Sequence, residues 1–277
     1  MSCSPYYETE NGTLYKGDCL DVMDYLIENN VKVDAIITDP PYAVTGYEWD
    51  QLIPFDKMWE RLLKLIKDNG AIVLFGNEPF SSNLRMSNSE LYRYDWKWVK
   101  TQITGYQNAK YQPLRCYEDV MIFSKGGAVA HSKTPMVYYP QGIIAVNLKV
   151  SRSSIDYLHE KKKKEKNTHI QEYANFPRNV IQFPRESRLY HPTQKPTNLM
   201  EYLISTYTKA GDLVLDFTSG SGSTLLGCEI LSRKWIGIEI TDKYCKVIKE
   251  RIKNGIQLKI LLDYNNEQRN EWGGMYV

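Results

Sequence analysis

The run LVLDFTSGSGSTLLGCEILSRKWIGIEI, residues 213–240, constrains the fold more than any other stretch of this chain. A short apolar run ends at Asp216, a glycine-bearing turn follows, a helical stretch comes next, and a second apolar run ends at Glu239. Short, continuously apolar strands belong to parallel sheets covered on both faces. In such sheets the turn after a strand's carboxyl end faces the crevice where cofactors bind. Gly220 and Gly222 permit tight backbone geometry and close approach of a ligand. Glu239, about twenty residues further on, is placed to accept hydrogen bonds from both hydroxyls of a ribose. The pattern departs from the dinucleotide fingerprint and lacks the Gly-Lys-Ser/Thr ending of a phosphate loop. A nucleoside cofactor without phosphates, such as S-adenosylmethionine, therefore fits better than NAD or ATP. A tight turn that binds nothing is the plain alternative.

The same strand–helix rhythm runs through the N-terminal half. TLYKGD at 13–18 reads as a strand, and DCLDVMDYLIEN carries Leu20, Met23 and Ile27 at helical spacing. VDAIIT is the next strand. FDKMWERLLKLIKDNG repeats the helical period from Phe55 to Ile66, with Asn69-Gly70 expected to stop it. AIVLF, YDWKWVK and EDVMIFSK read as further strands. From about Gly126 to Pro184 the rhythm is lost, and the stretch is expected to be an insertion or a small separate lobe. Regularity returns at HPTQKP, followed by a helix with Thr197 as N-cap and Gly211 as stop. TDKYCKVIKERIKNG is a last amphipathic helix, and the remaining twenty residues are expected to form a polar tail.

AIITDPPYAV, residues 35–44, places Asp39 at a strand's carboxyl end, so it also faces the crevice. Pro40 and Pro41 fix φ and donate no N–H, and Tyr42 can lie flat beside whatever enters. This suits a planar amine. Asp39 would accept one N–H, the Pro40 carbonyl the other, and Tyr42 would stack on the ring. Two acceptors localise the nitrogen lone pair, which can then attack a methyl group on a sulfonium. A proline-stiffened turn with a solvated aspartate is the bland alternative, and the glycine-rich turn weighs against it.

Composition bounds the rest. The chain has 277 residues, enough for one core with an inserted subdomain or for two small domains. Its 21 tyrosines and 6 tryptophans suit core packing or a stacking surface for bases. Residues 127–190 hold 11 Lys and Arg against 5 Asp and Glu on a chain of net charge +2, which places a basic segment on a mildly acidic body. Within it, EKKKKEK at 160–166 reads as a solvated loop. Five scattered cysteines without a C-x-x-C pair point to free thiols in a reducing compartment, with neither a disulfide framework nor a metal site. No membrane span or leader segment is legible, and a cytoplasmic protein of a bacterial or phage-infected cell is expected.

DPPY, LDFTSGSGST, HPTQKP, GIEI and YKGDCLDVM together resemble the blocks of the N6-adenine/N4-cytosine DNA methyltransferase family, and the likeness covers most of the chain. The tetrapeptide precedes the cofactor motif, which is the permuted order called the beta class. The resemblance implies a Rossmann-like α/β methyltransferase fold with a mostly parallel seven-stranded sheet and one antiparallel strand. It implies a catalytic half at 1–126, an inserted target-recognition region at 127–185, a cofactor-binding half at 186–257 and a tail at 258–277. Asp39, Pro40, Pro41 and Tyr42 would be catalytic. Asp18, Cys19, Thr38, Asp39, His191, Thr193, Lys195, Asp216, Phe217, Thr218, Gly220, Gly222, Thr224 and Glu239 would hold S-adenosylmethionine. The block at 191–195 has an equally plain role in pinning the start of the following helix. Phe217 and Thr218 stand where the family usually has Pro then Phe, with Gly220 and Gly222 still in register.

The function implied is site-specific adenine-N6 methylation of a base flipped out of double-stranded DNA, as in restriction–modification systems. Single-stranded DNA and a homodimer remain open. Asp at the first tetrapeptide position favours adenine over cytosine-N4, whose enzymes more often carry Ser. An RNA or protein methyltransferase is disfavoured, since glutamine-modifying enzymes resemble NPPY placed after the cofactor motif. A non-catalytic DNA-binding subunit is disfavoured by the intact Asp39, Tyr42, Gly220 and Glu239.

Overall fold

The structure, a computed structural model, describes residues 3–153 and 166–273. It divides into two compact units, Met1–Tyr139 with Asn179–Val277, and Pro140–Arg178. The larger unit is built on one nine-stranded sheet. In chain order its strands are β1 (Pro5–Glu8), β2 (Gly12–Lys16), β3 (Val33–Thr38), β4 (Ile66–Gly76), β5 (Tyr92–Thr104), β6 (Arg115–Phe123), β9 (Val180–Phe183), β10 (Leu213–Asp216) and β11 (Lys234–Glu239). Their spatial order is β1-β2-β11-β10-β3-β4-β6-β5-β9. From β2 to β5 this is a seven-stranded, mostly parallel sheet in which β6 alone runs antiparallel. β1, antiparallel to β2, and β9, parallel to β5, extend it to nine rather than the expected seven.

Alternation along the central strands explains the layers. Ala35 and Ile37 of β3 join a core with Leu199, Leu203, Leu225, Ile248 and Ile252. These lie on α4 (Thr197–Tyr207), α5 (Ser223–Ile230) and α6 (Asp242–Gly273). Ile36 points the other way, into a core with Met23, Leu62 and Leu84. Those lie on α1 (Cys19–Glu28), α2 (Phe55–Leu65) and α3 (Phe80–Ser87). Helices thus cover both faces, as buried parallel strands require. Among the described residues no helix is long and apolar enough to cross a membrane.

Several boundaries differ from the sequence reading. α2 ends at Leu65, because Ile66 is extended, buried and paired with Val33 on β3. Register then jumps to Ala71 opposite Ala35, so Asn69-Gly70 belongs to an irregularity in β4 and does not stop a helix. α4 is preceded by Pro196, and Thr197 is its first residue: its amide and hydroxyl both donate to Glu186. It ends at Tyr207, before Gly211, which sits at φ +83°. α6 runs on to Gly273, so 258–273 continue a helix where a tail was expected.

The irregular stretch is also narrower as a compact unit than 127–185. Val137 donates its amide to Asn69, Tyr139 donates to Thr206, and β9 joins the main sheet, which leaves both flanks of the stretch with the larger unit. The small unit is a hairpin of β7 (Ile144–Ser153) and β8 (Lys166–Ala174). Lys161–Lys164, read as part of a solvated loop, lie outside the described residues.

One close approach fixes the sheet edge. Gly12 on β2 lies opposite Trp235 on β11, and a Cβ there would stand 2.1 Å from the indole. Trp235 cannot retreat, because its Nε1 donates at 2.9 Å to Glu229, which also accepts from Thr9 and Asn11. Gly12→Ala should overpack this site and cost about 1–3 kcal/mol. Urea denaturation of the two proteins measures it, and equal midpoints would contradict the packing account.

Candidate active site

The carboxyl edge of the sheet opens into a cavity of about 540 Å³ within the larger unit. Its wall follows the strand order. Gly17 and Asp18 come after β2, Glu239 ends β11, Asp216 ends β10, Asp39 follows β3, Asn77 follows β4, and Arg115 and Glu118 open β6. Of the residues singled out from sequence, all but Thr38 and Gly222 line this cavity. Thr38 is fully buried, and Gly222, at φ +77°, precedes α5 with Ile248 against it.

Adjacency of β3 and β10 joins the two motifs. The Thr38 hydroxyl donates to Asp216 Oδ1 at 2.6 Å and lies 2.6 Å from the Thr218 hydroxyl. Thr218 in turn donates to the Asp39 carbonyl at 3.1 Å. Burial raises the Asp216 pKa to about 6, against the opposing hydroxyls of Thr38 and Thr224. At the neighbouring strand end, Glu239 accepts the amides of Gly220 and Thr241, each at 2.8 Å. Burial pushes this carboxyl upward as well. Its two oxygens keep acceptor capacity for further donors, since each carries two lone pairs. Asp18 spends one oxygen capping α1 at the Leu20 amide, 2.8 Å away.

Asp39 has both carboxylate oxygens engaged. Its Oδ1 accepts the Tyr42 hydroxyl and its Oδ2 accepts the Lys195 ammonium. Burial pushes its carboxyl above 3.8, the Lys195 ammonium opposes this, and the nearby Glu118 carboxylate adds to it. Tyr42 packs on Phe80 with ring centroids 4.7 Å apart, and burial beside Asp39 lifts its phenol well above 10. The hydroxyl contact gives Tyr42 a second point of attachment that the sequence reading, which used only its ring face, did not supply.

The HPTQKP block forms the opposite wall. His191 Nδ1 accepts the Thr193 amide at 3.2 Å. Burial, with Lys195 and Lys243 nearby, lowers the His191 pKa to about 4, so its ring is neutral at neutral pH. The ring stands between Trp49 and Tyr244, at centroid distances of 4.8 and 4.3 Å. Behind this wall, Arg251 on α6 is buried and donates to the Ser221 carbonyl at 2.7 Å and to Ser223 at 3.2 Å. It also donates to Glu186 at 3.3 Å, and so ties the glycine-rich turn to the segment before α4.

A glycine-rich turn and a DPPY turn side by side at the carboxyl edge of this sheet define a Rossmann-like methyltransferase fold. Residues 33–250 match the N6_N4_Mtase model, described as DNA methylase, and the chain belongs to that family. The type II methyltransferase M.BamHI of Bacillus amyloliquefaciens is 26% identical over 96% of this chain, which spans 63% of that protein's length. The DNA adenine methyltransferase YhdJ of Escherichia coli K12 is 27% identical, with 90% of this chain and 86% of that one covered. The crystal structure of the M1.HpyAVI–SAM complex has a TM-score of 0.60 and 27% identity, covering 87% of this chain and 99% of that one.

Sequence reasoning missed Asp50, Glu118, Glu186 and Arg251 as site residues; Asp50, Glu186 and Arg251 stand in no motif, and Glu118 was read only as part of the strand EDVMIFSK. Asp50 is the clearest case. It is buried, and its carboxylate accepts the amides of Tyr42, Ala43 and Val44 at 2.9 Å and that of Thr45 at 2.6 Å. Ala43 is held at φ +56°, a strained value for a residue with a side chain. Burial alone would raise the Asp50 pKa, but the Thr45 hydroxyl and the amides outweigh it and keep the group below 3.8. The clamp is therefore intact above that pH and is lost only as pH falls through the lower folded value. Asp50→Ala should free these amides and speed their hydrogen exchange by on the order of tenfold or more, with α2 unaffected. Unchanged protection at 42–45 would rule out the clamp.

Proposed function

We propose that this protein transfers a methyl group from S-adenosylmethionine to the exocyclic N6 amine of adenine in double-stranded DNA. The observation that carries this reading is the convergence of Asp39, Tyr42 and the Gly220 turn on one cavity. The donor set suits the cofactor. Asp18, Asp216 and Glu239 make the wall acidic, as a cationic sulfonium nucleoside requires, and no phosphate-binding Lys-Ser/Thr follows the glycines. Glu239 would accept the ribose hydroxyls, and the Gly220 turn would allow the nucleoside to approach the backbone. When bound, S-adenosylmethionine supplies an electrophilic methyl on a positively charged sulfur.

The chain's own residues prepare the nucleophile. An adenine amine is weakly nucleophilic because its lone pair is delocalised into the ring. Asp39 would accept one amine N–H and the Pro40 carbonyl the other, which favours a pyramidal nitrogen with a localised pair. Pro41 stiffens the turn, and Tyr42 would cover the ring. Holding two reactants in line contributes on the order of 7–11 kcal/mol at best. The amine is shielded within stacked DNA, so the adenine must rotate out of the helix at a cost of a few kcal/mol. The hairpin of Pro140–Arg178 lies in the basic stretch and is assigned target recognition. Adenine is preferred over cytosine because Asp39 opens the tetrapeptide and because the relative YhdJ is named a DNA adenine methyltransferase.

Asp39→Ala should cut methyl transfer to unmethylated genomic DNA by at least 100-fold while leaving S-adenosylmethionine affinity within about twofold. That ratio corresponds to about 2.7 kcal/mol of barrier. Nucleoside analysis of the DNA product should return N6-methyladenine. N4-methylcytosine would move the reading to the other base, and a variant with more than a tenth of wild-type turnover would remove Asp39 from its role. Glu239→Ala should instead weaken the cofactor first, which calorimetry detects as a raised dissociation constant on variant protein shown by circular dichroism to be folded, with some loss of stability expected from the freed Gly220 and Thr241 amides.

A further inference from the structure

Glu118 has no part in the scheme above, yet it is the buried acid nearest to Asp39's partner. Its Oε1 is held by the Lys100 ammonium. Its Oε2 is buried, accepts no hydrogen bond from any described residue, and lies 3.3 Å from Lys195 Nζ. Lys195 is only 7% exposed, and its carbonyl is pinned by the Ser223 hydroxyl at 2.7 Å. Its ammonium, 5.1 Å from the Phe75 ring centre, is shared between two carboxylates.

We propose that Glu118 is a positioning residue: it provides the seat to which Lys195 moves when the target amine arrives, leaving Asp39 free to accept from that amine. The inference rests on the assignment of Asp39 to the amine. Before DNA enters, one Asp39 oxygen accepts from Tyr42 and the other from Lys195; each still has a lone pair, so the competition is for the carboxylate's charge and not for its last acceptor site. An ammonium on the carboxylate competes with a neutral amine and withdraws the charge that would hold it. Lys195 is largely buried and gains little hydration by leaving Asp39, so a second anion within reach stabilises the move. Glu118 Oε2 is that anion. Closing 3.3 Å to the roughly 2.8 Å of a charge-assisted hydrogen bond takes about half an ångström. The group of Asp39, Lys195, Glu118 and Lys100 holds two carboxylates and two ammoniums, and the move leaves that balance unchanged.

Single-turnover methyl transfer to unmethylated genomic DNA, with S-adenosylmethionine affinity measured by calorimetry, tests the seat. Glu118→Gln removes the charge but keeps the shape, so Lys195 should stay on Asp39. The transfer rate should fall at least tenfold with cofactor affinity near wild type, measured at a temperature where circular dichroism shows the variant folded. Adding Lys195→Met to Glu118→Gln vacates Asp39 and, at S-adenosylmethionine concentrations that calorimetry shows to saturate the double variant, should restore the rate at least threefold over Glu118→Gln alone. A residue that merely supports the fold would make the double variant equal or worse. Glu118→Gln at the wild-type rate, or a double variant no faster than Glu118→Gln, overturns the proposal. An active Asp39→Ala overturns the amine site and the seat together, whereas an inactive Asp39→Ala beside a fully active Glu118→Gln overturns the seat alone.

Discussion

The hydrogen bond from Thr38 to Asp216 joins residues 178 apart in sequence, and the cleft depends on it. It exists because β3 and β10 are parallel neighbours in register, with Val214 opposite Ala35 and Leu215 opposite Ile36. Both strands are then required to end at the same height. The DPPY turn leaves one and the glycine-rich turn leaves the other, so two chemically distinct loops share a wall. Thr218 closes the contact by reaching the Asp39 carbonyl. The desolvation that raises the pKa of Asp216 to about 6 is a consequence of the same packing.

A second layer of polar contacts holds the loops in their working shape. Arg251 crosses from α6 to the Ser221 carbonyl and to Glu186, and Glu186 in turn receives the Thr197 amide at 2.7 Å. Buried charges of this kind are costly unless fully paired. Here each has several partners, and they span three segments that the helices alone would leave independent. Asp50 does the equivalent work for the turn after Tyr42, and His191 fills the gap between Trp49 and Tyr244 as a neutral ring. The site is thus shaped by groups that would not touch the reacting atoms.

The cluster around Asp39 has a different character. Lys195 and Glu118 come from opposite sides of the cleft, one on the HPTQKP segment and one on β6. Their charges balance, but Glu118 Oε2, 3.3 Å from the ammonium, accepts no well-formed hydrogen bond among the described residues. Complete satisfaction would lock Asp39. Incomplete satisfaction, next to an ammonium shared with Asp39, is the feature on which the proposed redistribution rests.

Much of this was legible in the sequence. Apolar runs ending at Thr38, Asp216 and Glu239 identify buried parallel strands and their carboxyl ends, because period and burial are local properties. The turn residues at 39–42 and 218–222 follow for the same reason: proline and glycine restrict the backbone wherever they stand. The end of α2 was not legible. The helical period continues through Ile66, and only pairing with Val33 in the folded sheet makes that residue extended. Nor could Glu118 or Arg251 be found, for their meaning lies in which ammoniums and carbonyls come within 3 Å or so of them, and those partners come from other segments; Asp50 was missed although its amides lie in the same loop, because no residue pattern at 42–50 shows that the loop turns them toward it. The sequence by itself determined the elements, their order and the chemical types at the strand ends. Tertiary structure decided which strand ends are neighbours and which buried charges face one another, because strand adjacency and desolvation are set by contacts across the whole chain and by no local rule.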